Sequence, residues 1–411
     1  MNPEQALTGR LFERRENQLL IAVAHLSSVS ETQIHQLIRP DLDWEYLLAR
    51  AHRHGITPLL YRSLDSCQIA VPPPVMEELK VRSHEIFKSN LALTGELLKL
   101  VDFLNTNDVV AIPFKGPTLA LRAYREIGLR QFKDLDVLVH KSDVARVRGL
   151  LRDRGFKPEP ELSLAQQAAL LRFDCACTFI NEQRVALDVH WDFVERYFSF
   201  QTDTARFWGR VEQTTIGNRQ VSTLSTEDLL LVLCLHGFTH LWERLVWISD
   251  IACLINSENE VDWRMVLGNA TRLGCRRILA LGLFLANDLL QAPLPREVSA
   301  IINADPQVGK LAARVRAQLF TEERGPAGLL AEVALLIDAR ERTRDKLKTC
   351  MRMAGVPRKF DWMALAVPGP LFFVYYAVRP LRLLWRYGTK LLNAADATTA
   401  PAKSAVESLK S

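Results

Sequence analysis

Residues 109–140 read VVAIPFKGPTLALRAYREIGLRQFKDLDVLVH, and this stretch decides the fold. The apolar run over 109–114 predicts a strand. Residues 117–126 then predict a helix with proline at its first position, where proline is well tolerated. A second apolar run over 134–140 predicts another strand. The stretch therefore predicts a strand, a helix and a strand in sequence, at the start of a small α/β core between two parts of the chain that read as helical.

Two carboxylates stand at the start of the second predicted strand. Asp134 and Asp136 are two positions apart, and they point to the same face because side chains alternate along a strand. Neighbouring like charges repel unless a cation lies between them, and Mg²⁺ is commonly held by one or two carboxylates together with substrate phosphates. Asp188, inside the apolar strand predicted over 184–191, is a candidate third carboxylate.

These three acids are the candidate catalytic and metal-binding residues. Together Asp134, Asp136 and Asp188 can hold one or two Mg²⁺ ions, as phosphoryl and nucleotidyl transfer require, and the third carboxylate can assist deprotonation of the attacking hydroxyl. The alternative is that they only begin or end strands in solvent, because a lone Asp-x-Asp is a weak motif. Their place in apolar strands, where an unpaired charge is expensive, favours the metal and nucleotide end of a transferase.

Three further residues are candidates for binding the nucleotide. Lys115 and Gly116 end the first strand before a helix, where glycine lets the backbone approach a phosphate and the helix N-terminus offers amides. Lys115 adds a positive charge, although an ordinary turn is the alternative. Arg130 lies four residues before Asp134 and either clamps a phosphate or pairs with a carboxylate; the sequence does not decide between these.

A histidine pair lies further along the chain. His236 and His240 are four residues apart on a predicted helix, a spacing that can bind zinc. The glutamate that follows the first histidine in zinc proteases is absent, and Gly237 occupies its position. We therefore interpret both histidines as core or hydrogen-bonding residues.

The remaining pattern predicts an α+β fold, a small mixed sheet flanked by N-terminal and C-terminal helical regions. A hairpin is expected over 211–223 around a Gly-Asn turn, and Ser225 is expected to begin the next helix. The predicted regions are 1–105, helical; 106–224, the sheet core; 225–355, helical; 356–392, an apolar and arginine-rich helical segment; and 393–411, a disordered tail.

Residues 360–388 combine aromatic and aliphatic side chains with Arg379, Arg382 and Arg386. Two interpretations stay open: an interfacial membrane anchor across 360–390, or a helix packed against the body. The apolar part is too short for a bilayer-spanning helix. The chain opens with a polar, charged stretch rather than a signal peptide, so the expected location is cytoplasmic, with or without membrane association.

Composition narrows the class of partner. Seven scattered cysteines form no disulfide framework, which fits a reducing compartment. The formal net charge of +5 would help a phosphate-bearing ligand to approach. The sequence lacks the strong basic and aromatic surface of a nucleic-acid-binding protein, so no nucleic-acid partner is expected.

The combination of motifs resembles the bacterial uncharacterised nucleotidyltransferase family, within the polymerase-beta-like nucleotidyltransferase superfamily. The matching residues are Lys115-Gly116, Tyr124, Gly128-Leu129-Arg130, Asp134 to Val139, Gly155-Phe156, Leu187 to Trp191, His236, His240-Leu241-Trp242, Trp247, Asp250 and the segment from Tyr375 to Pro380. The resemblance covers roughly residues 40–300. It implies that Asp134 and Asp136 bind Mg²⁺ and that Asp188 is the third carboxylate. The chain departs from the superfamily at Lys115-Gly116, where Gly-Ser is usual.

Two functions follow from these observations. The first is a Mg²⁺-dependent nucleotidyltransferase that moves a nucleoside monophosphate from an NTP to an acceptor, which is a small molecule, a glycan or a protein. The second is a catalytically inactive scaffold of the same fold in surface-polysaccharide or peptide-modification assembly. Three acids on strands favour the enzyme, and the altered Lys115-Gly116 turn keeps the scaffold open.

Overall fold

The computed structural model describes residues 11–25, 31–67, 71–198, 200, 205–258, 260–321, 333–358, 361–362, 365, 367 and 371–383. Helices dominate the chain before the sheet. They are α1 (Arg15–Val23), α2 (Glu31–Leu37), α3 (Trp44–His54), α4 (Thr57–Ser66) and α5 (Pro73–Thr106). The long helix α5 begins directly after Pro72, because proline restricts the residue before it to extended backbone but is accepted at the first helical positions.

The central region alternates strands with short helices. Its elements are β1 (Ala111–Pro113), α6 (Pro117–Tyr124), β2 (Asp134–Val139), α7 (Val144–Asp153), β3 (Lys157–Glu159), α8 (Leu164–Phe173), β4 (Ala176–Ile180), β5 (Ala186–His190), α9 (Ala205–Trp208), β6 (Glu212–Ile216) and β7 (Arg219–Thr223). The predicted strand at 109–114 is shorter than expected. Val109 belongs to the turn that leaves α5, where its amide donates to Leu104.

The main sheet has five strands in the order β1-β2-β5-β4-β3. Strands β2 and β5 run parallel in the centre, whereas the β1–β2, β5–β4 and β4–β3 pairs are antiparallel. Strands β6 and β7 form the expected hairpin as a separate two-stranded sheet. The predicted α+β class with a mixed sheet is confirmed. The edge strand β3 was not predicted, because Lys157-Pro158-Glu159 has neither apolar residues nor alternation.

Helices return after the hairpin. They are α10 (Thr226–Thr239), α11 (Leu245–Ser257), α12 (Trp263–Leu273), α13 (Arg276–Leu290), α14 (Arg296–Asn303), α15 (Pro306–Leu319) and α16 (Thr343–Gly355), with further helical residues at 333–338 and 374–383. Ser225 caps α10 as expected, accepting a hydrogen bond from the Asp228 amide.

Two apolar cores organise these elements. The larger core joins the N-terminal helices to the helices that follow the hairpin, for example through Leu20, Leu60 and Leu281. The smaller core lies under the sheet and takes in the C-terminal half of α5, with Leu100, Leu135 and Leu187 among its members. The helices that precede the sheet in the sequence therefore pack against the helices that follow it. The boundaries of the five predicted regions stay a prediction.

The described part of the 356–392 segment packs on the body. Trp362 and Tyr375 are buried in the smaller core, and Asp361 accepts hydrogen bonds from Arg379 and Arg382 at 3.0 and 2.7 Å. Membrane contact stays a prediction, for which exposed apolar side chains such as Phe373 are available. Arg386 and the tail predicted over 393–411 lie outside the described residues. Among the helices that the structure describes, none is long and apolar enough to cross a bilayer.

Candidate active site

The central parallel strands bring the three predicted carboxylates together. Asp136 on β2 lies directly beside Asp188 on β5 in the parallel register. Asp134, two positions before Asp136, shares their face of the sheet. All three border one cavity of about 670 Å³. The three carboxylates therefore lie together at one cavity, and their role in binding a cation stays a prediction.

A fourth side chain, His190, joins this group from the end of β5. It lies two positions beyond Asp188 and therefore on the same face. Its Nε2 is 3.0 Å from Asp136 Oδ1. Candidate ligand atoms of Asp136, Asp188 and His190 all lie within 4.8 Å of one another. His190 Nδ1 is buried and has no hydrogen-bond partner among the described residues, so the hydrogen-bonding capacity of this ring is incompletely used.

Lys115, in the turn between β1 and α6, contacts the same carboxylate of Asp136. Its Nζ lies 3.2 Å from Asp136 Oδ1, in an ion pair whose side chains are only 10 % and 6 % exposed. The turn that carries Lys115 is fixed, because Thr118 Oγ1 donates to the Lys115 carbonyl at 2.8 Å. Gly116 has a φ of +54°, and a Cβ there would lie 3.5 Å from the Asp134 carbonyl. Glycine thus permits the left-handed turn that lies close to β2.

Helix α10 closes the cavity with His236 and His240. His236 Nδ1 lies 3.3 Å from Lys115 Nζ. Burial and the Lys115 charge hold the pKa of His236 well below its usual value, so the ring is neutral and its Nδ1 accepts from the ammonium. His240 and Trp247 pack near the His236 ring, with centroids 4.5 and 5.4 Å away. The contact with Lys115 agrees with the hydrogen-bonding interpretation for His236, whereas His240 is exposed just after the end of α10.

The two neighbouring aspartates of β2 differ in their protonation. Burial opposes ionisation of Asp136, but the Lys115 charge and the hydrogen bond from His190 outweigh it and lower the pKa of Asp136. For Asp134, desolvation and the negative charge of Asp136 raise the pKa to about 6. Asp134 nevertheless remains exposed to solvent at the cavity. Asp136 therefore favours its ionised form, whereas Asp134 needs a nearby cation to stay fully ionised at weakly acidic pH.

The structure places Arg130 in a buried ion pair. Its Nε and Nη2 donate to the two carboxylate oxygens of Asp250 at 2.7 and 2.9 Å. The side chains are 8 % and 1 % exposed, and Tyr124 donates to the same carboxylate at 2.8 Å. Of the two roles left open for Arg130, pairing with a carboxylate is present, but the partner is on α11 and not on β2. Arg130 also borders the cavity, so a role in binding nucleotide stays a prediction.

The comparison with protein families agrees with this geometry. The model of a family described as uncharacterised nucleotidyltransferase matches residues 40–291, more than half of the chain. The chain belongs to this family. The nucleotidyltransferase match covers all six predicted site residues, and it makes the protein a transferase by family. No curated protein and no solved structure matches the chain.

Among the residues that border the larger cavity, His190 and Glu195 received no role in the sequence analysis, although His190 lies within the matching segment from Leu187 to Trp191. His190 carried a signal, because it repeats the two-residue spacing from Asp188 on the same strand. Glu195 follows β5 in a loop and carried none. Burial and the negative charge of Asp174 raise the pKa of Glu195 to about 7. Glu195 and Asp188 also border a second cavity of about 200 Å³, so the two cavities meet at these carboxylates.

Proposed function

We propose that the protein is a Mg²⁺-dependent nucleotidyltransferase that transfers a nucleoside monophosphate from an NTP to an acceptor. The observation that carries this proposal is the convergence of Asp134, Asp136 and Asp188 on one face of the sheet, at a cavity of about 670 Å³. The active site of an enzyme needs both features: a charged centre and room for a ligand beside it.

The donor chemistry fits a divalent cation. Asp136 and Asp188 supply carboxylate oxygens, which are the ligands that Mg²⁺ and Mn²⁺ prefer, and His190 adds a nitrogen within reach. Asp134 is the further carboxylate at the cavity. A bound Mg²⁺ would neutralise charge on the phosphate oxygens and orient them.

The residues of the chain then have distinct tasks. Lys115 and the Gly116 turn border the space where the phosphates would lie, and Lys115 supplies a positive charge there. Asp188 is suited to accept the proton that the acceptor hydroxyl loses as its oxygen bonds to the α-phosphorus. The bond from that phosphorus to the β-phosphate oxygen breaks in the same displacement, and pyrophosphate leaves. The smaller cavity that Asp188 and Glu195 border offers room for the acceptor.

The test is a panel of NTPs measured by calorimetry with and without Mg²⁺. We expect Mg²⁺-dependent binding of at least one NTP, and loss of that binding by at least about tenfold in Asp136→Asn and in Asp188→Asn, since each removes a cation ligand. Asp153→Asn is the matched control, because Asp153 is exposed on α7 away from the cavity. Unchanged NTP binding in both site variants would show that the carboxylates do not form the nucleotide site.

The scaffold hypothesis makes the opposite prediction. An inactive member of the family would bind no NTP with or without Mg²⁺, and the Asp136→Asn variant would behave like the parent protein. The complete set of carboxylates on one face supports the enzyme, because a charged, partly buried cluster is costly to keep without a function.

A further inference from the structure

The ion pair between Lys115 and Asp136 lies inside the proposed cation site. Lys115 Nζ and His190 Nε2 both contact Oδ1 of Asp136, at 3.2 and 3.0 Å. A lysine that served only to bind substrate phosphate would direct its charge into the open cavity. Lys115 instead has a side chain that is 10 % exposed and a nitrogen shared between Asp136 and His236. Its charge is therefore applied to the carboxylate group itself.

The position of Lys115 is built into the fold. Thr118 fixes the Lys115 carbonyl, and Gly116 adopts a left-handed turn that few other residues accept. On the far side, neutral His236 accepts from the ammonium and adds no competing positive charge. The ammonium is thus held from two directions before any ligand arrives.

The charges in the site indicate how much further positive charge it needs. Within the carboxylate cluster on the face of the sheet, Asp134, Asp136 and Asp188 carry three negative charges when ionised, and Lys115, which contacts Asp136, supplies one positive charge. Arg130 is balanced by its partner Asp250, so this pair adds no net positive charge to the cluster. One divalent cation then balances the remaining two negative charges. Oδ1 of Asp136 already contacts the ammonium at 3.2 Å and His190 at 3.0 Å, which leaves Oδ2 for one divalent cation. A second divalent cation on this carboxylate would lie beside both the ammonium and the first ion, where like charges repel strongly.

We infer that Lys115 is a tethered cation that takes the place of a second metal ion, so that the site holds one divalent cation per chain. This inference rests on the proposed function, but it concerns the metal count and not the nucleotide. It assigns to Lys115 the positioning of Asp136 and the neutralisation of its charge.

The experiment counts ions bound by the full-length protein in the absence of nucleotide. Mn²⁺ is the probe, because free Mn²⁺ gives an electron paramagnetic resonance signal that bound Mn²⁺ largely loses. The parent protein is compared with Lys115→Met and Lys115→Gln, which remove the charge, and with Lys115→Arg, which keeps it. Lys157→Met is the matched control, because Lys157 is exposed on the edge strand β3.

The expected result is one Mn²⁺ per chain for the parent protein, Lys115→Arg and Lys157→Met, and two for Lys115→Met and Lys115→Gln. Thermal unfolding in EDTA and in Mn²⁺ gives a second readout. Both neutral variants should unfold at lower temperature than the parent in EDTA and recover more stability from Mn²⁺, because their carboxylates lack the ammonium.

Two Mn²⁺ ions in the parent protein would overturn the inference. So would a single ion in both neutral variants with no larger stabilisation by Mn²⁺. If no variant binds Mn²⁺, the inference and the metal part of the proposed function both fail. Failure of NTP binding with the expected ion counts would refute the proposed function alone.

Discussion

Replacing either member of the Arg130–Asp250 pair tests whether this contact holds the sheet region to the helical region. The pair is bidentate, both side chains are almost fully buried, and Tyr124 adds a third hydrogen bond. In Asp250→Leu the Arg130 charge stays buried without its counter-ion. In Arg130→Met the Asp250 charge is the one left unpaired. We expect each variant to lose about 3–5 kcal/mol of the free energy of unfolding, the range for breaking a buried ion pair.

The double variant Arg130→Met/Asp250→Leu separates the charge from the packing. It leaves no unpaired charge, and replacing a buried pair by apolar residues is often neutral. Only the Tyr124 hydroxyl loses its acceptor, which costs about 1–3 kcal/mol. The double variant should therefore be clearly more stable than the sum of the single variants predicts, with an interaction energy of at least about 3 kcal/mol.

Urea unfolding followed by circular dichroism measures these free energies. Arg146→Met is the control, because the side chain of Arg146 is exposed and its contact with exposed Asp108 is at 4.0 Å. This substitution should change stability by less than about 0.5 kcal/mol. Losses below about 1 kcal/mol in both single variants, or strict additivity in the double variant, would refute the reasoning. The folded double variant also tests the nucleotide role of Arg130: normal NTP binding would make Arg130 purely structural.

Three further changes have defined outcomes. The pKa of Asp134 is raised from 3.8 to about 6. Ionisation of Asp134 therefore lowers the stability of the metal-free fold as pH rises from about 4 to about 6, whereas its protonation weakens Mn²⁺ binding as pH falls below about 6. Asp134→Asn should therefore stabilise the metal-free protein at pH 7.5 by about 1 kcal/mol, a value reduced because the side chain is exposed to solvent. Urea unfolding of the parent and the variant at pH 4 and at pH 7.5 measures this change, and an equal change in stability at the two pH values would contradict the prediction. Gly237→Ala should cost at least about 1–3 kcal/mol in urea unfolding, since a Cβ there overlaps the Trp242 ring, whereas Gly268→Ala, with open space around it, should not destabilise. Asp361→Asn should speed limited proteolysis within the 374–383 helix, and an unchanged cleavage rate would show that its arginine pairs do not hold that helix.

The features that were predicted correctly depend on local sequence. Alternation and apolar runs located β2 and β5, the Gly-Asn turn located the hairpin, and Ser225 marked the start of α10. Such signals act within a few residues, so the amino-acid pattern is enough to predict them. The common face of Asp134 and Asp136 follows from the same local rule.

The features that were missed depend on contacts between distant parts of the chain. His236 lies 121 residues from Lys115, and Asp250 lies 120 residues from Arg130. Periodicity places each residue on a helix or a turn, but the partner is set by how the helices after the hairpin pack against the sheet. Trp242 is a further case in which only the packing shows the role of a residue. It is fully buried against Gly237, and only the packing of α10 shows that the missing side chain makes room for its ring.

These contacts explain what Lys115-Gly116 can do at the position where Gly-Ser is usual in the superfamily. Pro117 at the start of α6 removes one amide donor and supplies no hydroxyl, which weakens the helix N-terminus as a phosphate site. The residue before the glycine compensates with a full positive charge at Asp136. A backbone amide acts only on a ligand oxygen that touches it, whereas an ammonium also neutralises the carboxylates that prepare the site. The altered turn is therefore consistent with an active enzyme in which part of the positive charge belongs to the chain itself.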